Sequence, residues 1–140
     1  MSVITYDPKQ VSLIIGGNII TGFSDDDFIE VERDEDAFSK KTGVDGITTR
    51  AKNNVKTGHV ILRLMQSSSS NDALSNLARQ DENTSSGAVA ILCKDGSGRS
   101  KFSSDSGWVK KFPKVSWKKD VQVYEWTIDC TSLDIFVGGN

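Results

Sequence analysis

Strict alternation of apolar and polar side chains recurs along this chain, and it marks strands. In Val60–Gln66, Val60, Leu62 and Leu64 stand opposite Ile61, Arg63 and Met65, the period of two that a pleated strand imposes. Phe28–Arg33 sets Phe28, Glu30 and Glu32 against Ile29, Val31 and Arg33. Val121–Cys130 sets Gln122, Tyr124, Trp126, Ile128 and Cys130 against Val121, Val123, Glu125, Thr127 and Asp129. Val11–Ile15 and Asn18–Phe23 flank Gly16-Gly17, a hairpin signal because glycine accepts the positive φ of tight primed turns. Ala88–Lys94 is apolar enough for a buried strand and stops at Asp95-Gly96. Trp108–Trp117 is strand-like but interrupted by Pro113, so it reads as an edge or a bulge. Leu133–Val137 forms a last strand.

One segment changes period. From Asn71 to about Gln80, Ala73, Leu74, Leu77 and Ala78 fall on one helical stripe. Ser69, Ser70 or Asn71 can cap its free N–H groups, and Asp72 suits the positive end of its dipole. No internal repeat is visible. About eight strands and one helix imply a mainly β fold, a small barrel or sandwich with one flanking α-helix. The polar stretch 34–57, with Gly43, Gly46 and Asn53-Asn54, reads as a long connection. Loops of that length inside a domain are usually functional or mobile.

Composition narrows the picture. A chain of 140 residues fits one domain, 1–140, and can bury roughly 70% of its unfolded surface without metal or disulfide staples. The net charge of −2 makes the whole molecule no magnet for nucleic acid, but its distribution is uneven. Eight acids lie between Asp25 and Asp36 against Arg33 alone, and five lysines with no acid lie between Trp108 and Lys119. Segments this polarised can attract each other, within one chain or between copies. The first ten residues lack an apolar signal-peptide core, and no run approaches the ~20 apolar residues of a membrane span. Synthesis and residence in a cytoplasm, without membrane anchoring, are expected.

Searching for chemistry returns little. Cys93 and Cys130 sit in apolar strand-like runs, have no CxxC partner, and read as buried reduced thiols. His59 is the single histidine; it cannot supply the usual zinc spacings and has no nucleophile motif beside it. Asp25-Asp26-Asp27 lacks calcium-loop spacing and reads as a solvated turn. Gly96–Lys101 carries glycines and cations without P-loop spacing, so it reads as a β-turn. Asn83-Thr84-Ser85 matches a glycosylation sequon that idles without secretion. No catalytic, cofactor or metal site is expected. The sharpest alternative is Trp108–Lys119, where aromatic rings interleave with lysines as on single-stranded nucleic-acid platforms. Its plain counterpart is an edge strand whose lysines block unwanted pairing.

Longer motifs point to a family. Tyr6-Asp7-Pro8-Lys9-Gln10-Val11, Gly22-Phe23, the run Phe28–Lys40, Leu62–Leu77 with Met65-Gln66 and Ser70-Asn71-Asp72, and Leu133–Asn140 closely resemble the tail tube (inner tube) proteins of contractile-tailed bacteriophages. The resemblance spans essentially the whole chain. It implies a structural virion protein, assembled in the host cytoplasm, that forms hexameric rings. These rings stack into a hollow tube inside a contractile sheath, as in the related tube of type VI secretion, and the phage tube conducts DNA. The implied partners are further copies, the sheath protein, and tape measure, baseplate and tail terminator proteins, with DNA only passing through.

Set beside that role, the residues suggest three surfaces. The segment 34–57 is the candidate for stacking rings, with Phe38, Val44 and Ile47 as apolar anchors. Glu30, Glu32, Glu125 and Asp129 are candidates for the lumen wall, where phosphate must not be held; outer solvent or the lysine segment is the competing place for them. Six copies at −2 each would give a ring of −12. Lys110, Lys111 and Lys114 are candidates for an inter-subunit or sheath-facing surface.

Overall fold

The structure, a computed structural model, describes residues 2–139. In chain order, after a 3-10 turn at Pro8–Gln10, it forms β1 (Val11–Ile15), β2 (Asn18–Ile19), β3 (Ile29–Arg33), β4 (Phe38–Thr42), β5 (Thr48–Lys52) and β6 (Gly58–Met65). Then come α1 (Ser70–Thr84), β7 (Val89–Asp95), β8 (Lys101–Lys111), β9 (Val123–Cys130) and β10 (Leu133–Phe136). The fold is mainly β with one flanking helix, as the alternation implies.

The core begins with the β6–β9 pair, antiparallel from Gly58↔Cys130 to Met65↔Val123. Val60, Leu62 and Leu64 meet Ile128, Trp126 and Tyr124 on the inward face, and Val60, Leu62, Leu64, Trp126 and Ile128 are buried. The sheet extends in the order β2-β1-β7-β8-β9-β6-β3, with β10 beside β8. β9 pairs with Gly107–Lys111 of β8, and β10 carries the same path on along Lys101–Ser104. The sheet curls, so Leu13 and Ile15 of β1 and Ile91 and Cys93 of β7 share one core with β6 and β9. One end of the curl is tied by the chain leaving β2. Phe23 bridges Leu64, Met65 N–H donates to Gly22 O (2.8 Å), and Ser24 N–H donates to Arg63 O (3.0 Å). Lower down, β3 faces β7 and β8 across an open cleft.

Leu74 and Ala78 of α1 are buried on this core. Its first turn departs from the expected cap. Ser69 occupies the N-cap without a side-chain bond. Ser70 Oγ instead accepts from Thr21 N–H (2.9 Å), and Asn71 Oδ1 accepts from Trp126 Nε1–H (3.0 Å). These polar groups fasten the helix to its neighbours, because a buried indole N–H left unpaired would be costly. The helix also runs past Gln80 to Thr84 through polar residues that carry no apolar period.

Three strand expectations need correction. The stretch 34–57 is not an irregular loop: β4 and β5 pair as a hairpin. Asp34 N–H to Thr57 O (3.0 Å) and Asn53 N–H to Ala37 O (2.8 Å) make it continuous with β3 and β6. All of β4 and β5 is exposed, so burial imposed no alternation that the sequence could display. The strand placed at Trp108–Trp117 is really Lys101–Lys111. Its serine-rich first half pairs on both edges, and the chain leaves the sheet just before Pro113, which has no N–H for a ladder. The strand placed at Asn18–Phe23 ends at Ile19.

Candidate assembly surfaces

The register puts all four candidate lumen acids on one outward face. Partners directly opposite in a ladder point the same way. Glu32↔His59↔Asp129 therefore form one row, and Glu30↔Ile61↔Thr127 the next. Arg63 and Glu125 share a third. Arg63 lies between two of the acids, with Nη1 2.9 Å from Glu30 Oε2 and Nη2 3.1 Å from Glu125 Oε2. Those contacts, the Glu30 hydrogen bond foremost, hold its guanidinium above its ordinary pKa. At the end of β3, His59 Nδ1 stands 2.9 Å from Asp34 Oδ1. Asp34 is held below its ordinary value chiefly by that bond, with Thr57 next and Lys110 contributing through its field. The face is thus acidic with its one arginine tied down, and a lysine approaches its margin.

The stacking candidates do not form one patch. Val44 and Ile47 lie at or beside the exposed tip, closed by Gly43 N–H to Ile47 O (2.9 Å) and by Gly46 at φ +87°. Phe38 lies at the base, its ring 4.4 Å beneath the Arg50 guanidinium. Nine residue steps from Arg33 to Thr42 let the ribbon reach up to roughly 30 Å beyond the sheet.

Lys110 and Lys111 end β8 beside a groove that Asp81 and Glu82 of α1 also line. Lys114 lies on a strap, residues 112–122, that pairs with no strand. The strap is moored at its end, where Gln122 N–H donates to Gln66 Oε1 (3.0 Å). The rings of Trp108–Lys119 are dispersed. Trp108 stands opposite Asp129 on the outward face, Phe112 packs 6.1 Å from the buried Trp126, and only Trp117, at 82% exposure, stands free. Successive bases need successive rings, so the interleaved pattern does not build a stacking platform.

Two features escaped sequence reasoning. Among the described residues β3 has a partner on one edge only, β6. Beside its free edge opens a cleft of about 390 Å³, lined by Phe28, Ile29, Val31 and Phe102, with Asp26 and Asp27 on it. Nothing local signals an unpaired edge, because pairing depends on strand order. As for chemistry, burial pushes the free thiols of Cys93 and Cys130 up to about 11. Among the described residues no group of three His, Cys, Asp or Glu is placed to hold a metal, and no helix is long and apolar enough to cross a membrane.

Comparison with known proteins now decides the family. Residues 15–138 match the family model described as the Bacteriophage PhiTE tail tube protein. The chain belongs to this tail tube family. Structural protein ORF10 of Pseudomonas phage KPP10 is 33% identical over 144 aligned positions, covering 97% of this chain and 83% of that protein. Solved structures share the tail tube fold at low identity. The sheath/tube terminator of the extracellular contractile injection system PVC, in its extended state, superposes with a TM-score of 0.59 at 10% identity, covering 98% of this chain and 100% of the other. A chain of the PVC sheath-tube complex gives 0.56 at 10% identity, covering 94% and 91%. At that identity the likeness speaks for fold alone. Of the family-like motifs, the final Asn140 lies outside the described residues, as does Met1.

Proposed function

We propose that this tail tube family member joins copies of itself head to tail in rings of six, and that these rings stack into the hollow tube conducting phage DNA. It acts as a structural part of the virion, with no catalytic role. The observation that carries the reading is the free edge of β3 at the end of a sheet whose outward face bears Glu30, Glu32, Glu125 and Asp129. A free edge invites another strand, and a head-to-tail contact that closes on rotation makes a ring. An obligate contact of this kind buries roughly 2,000 Å² or more.

In such a ring the β3–β6–β9 face lines the bore. A duplex presents about one charge per 1.7 Å and is held wherever free cations neutralise it. Here the arginine on the wall is already engaged by Glu30 and Glu125, so phosphate finds little to grip. The β4–β5 hairpin reaches the next ring with Val44 and Ile47. Sheath, tape measure, baseplate and terminator proteins are the further partners this role requires.

Purified protein, concentrated and followed by sedimentation velocity and electron microscopy, is expected to give rings or hollow tubes. A monodisperse monomer at every concentration, even seeded with a baseplate, would overturn the reading.

A further inference from the structure

Two features of the chain are unmatched within it. The first is the free edge of β3 with the Asp25–Asp27 turn at its start. That turn sits between Phe23 and Phe28, whose rings are 5.2 Å apart, and the cleft beside β3 opens next to it. Its three aspartates are exposed and form no ion pair with the described residues. The second is the strap. Lys114, Lys118 and Lys119 are exposed and likewise unpaired among the described residues, and Val115 and Trp117 are exposed with them. The strap leaves β8 where that strand's far edge is also free of strands, because β7 begins at Val89, opposite Gly107.

We infer that the end of β8 and the strap Phe112–Lys119 dock on the free edge of β3 and the Asp25–Asp27 turn of the next copy in the ring. This rests on the self-assembly proposed above and names the surfaces that perform it. Direction supports the match. β8, β9, β6 and β3 run alternately antiparallel, so a copy's β8 set against β3 continues the alternation. Antiparallel strands lay the end of one beside the start of the other. The strap, leaving the end of β8, then passes the aspartates that precede β3. Within one chain the strand order β8-β9-β6-β3 puts β9 and β6 between them, so β8 does not pair with the free edge of β3. The charges are opposite, and each surface offers apolar groups, Val115 and Trp117 on the strap and Phe28, Ile29 and Val31 by the edge. Each subunit carries one of each surface, which is what a head-to-tail contact needs.

Two charge-reversed proteins test this. One carries Lys114→Glu, Lys118→Glu and Lys119→Glu; the other carries Asp25→Lys, Asp26→Lys and Asp27→Lys. Alone, each faces like charges across the contact, and the concentration needed for assembly should rise at least ~10-fold. Mixed in equal amounts they can alternate around the ring, so assembly should return. Thermal melts of both free subunits check that folding is intact, and the Lys→Gln and Asp→Asn sets, which lose the attraction without adding repulsion, should each weaken assembly less and should not rescue each other when mixed. Normal assembly by either reversed protein alone, or a mixture that stays dispersed, would overturn the inference. Failure of the unaltered protein to assemble would instead remove the self-assembly reading beneath it.

Discussion

β6 and the β4–β5 hairpin lie next to each other in the chain and solve opposite problems. Alternate residues of β6 are fully buried in the core that Trp126 and Ile128 of β9 and Leu74 of α1 share, and both its edges are paired. The hairpin forms a regular ladder in which no side chain is buried. The strap resembles the hairpin in this respect, with Trp117 exposed where Trp126 is 1% exposed. An exposed large apolar residue is ordinary when solitary and informative when clustered with others. Stability of the free subunit therefore belongs to β6, β9 and α1, while the hairpin, strap and β3 edge are the surfaces that the proposed assembly would use.

The largest effect that could break this division is Trp126→Ala. It should cost the free subunit about 3–5 kcal/mol in urea unfolding, whereas Trp117→Ala should stay within about 0.5 kcal/mol and show itself only in weaker assembly. Equal losses from the two would erase the distinction. Next comes Gly107→Ala on β8. A Cβ there meets the Ile91 side chain and stands 2.9 Å from Asp129 O, so overpacking should cost about 1–3 kcal/mol, measurable in the same experiment. A smaller change in the free subunit, within about 0.5 kcal/mol, is expected from Val44→Ser with Ile47→Ser. Micrographs should then show intact rings in shortened stacks; tubes of normal length would remove the hairpin from the stacking contact.

The smallest effect is alkaline. The folded thiols of Cys93 and Cys130 titrate near 11, above the ordinary 9.0, so the native state keeps protons that the unfolded chain releases. Their contribution is complete below about pH 9 and declines as pH rises toward 11. Cys93→Ala with Cys130→Ala should flatten that decline in thermal melts, and an unchanged slope would place its cause elsewhere.

How much of this was legible depends on burial. Leu62, Leu64, Trp126 and Ile128 announced their strands because a one-sided core enforces alternation. Lys101–Gly107 was missed because its serines and glycine pack where bulk is excluded, leaving no apolar rhythm. β4 and β5 were missed because neither face is buried. The acidic face was legible residue by residue, but Arg63 tied between Glu30 and Glu125 was not, since register joins residues far apart in the chain. The free edge of β3 belongs to topology, and no local pattern encodes it.

Amide hydrogen exchange, compared between free subunits and assembled particles, reaches the central claim most directly. In both forms β6 should exchange slowly. On assembly, amides in Ile29–Arg33, around the hairpin tip and in Phe112–Lys119 should slow by at least ~10-fold. Particles in which those three segments exchange as fast as in the free subunit would contradict the account.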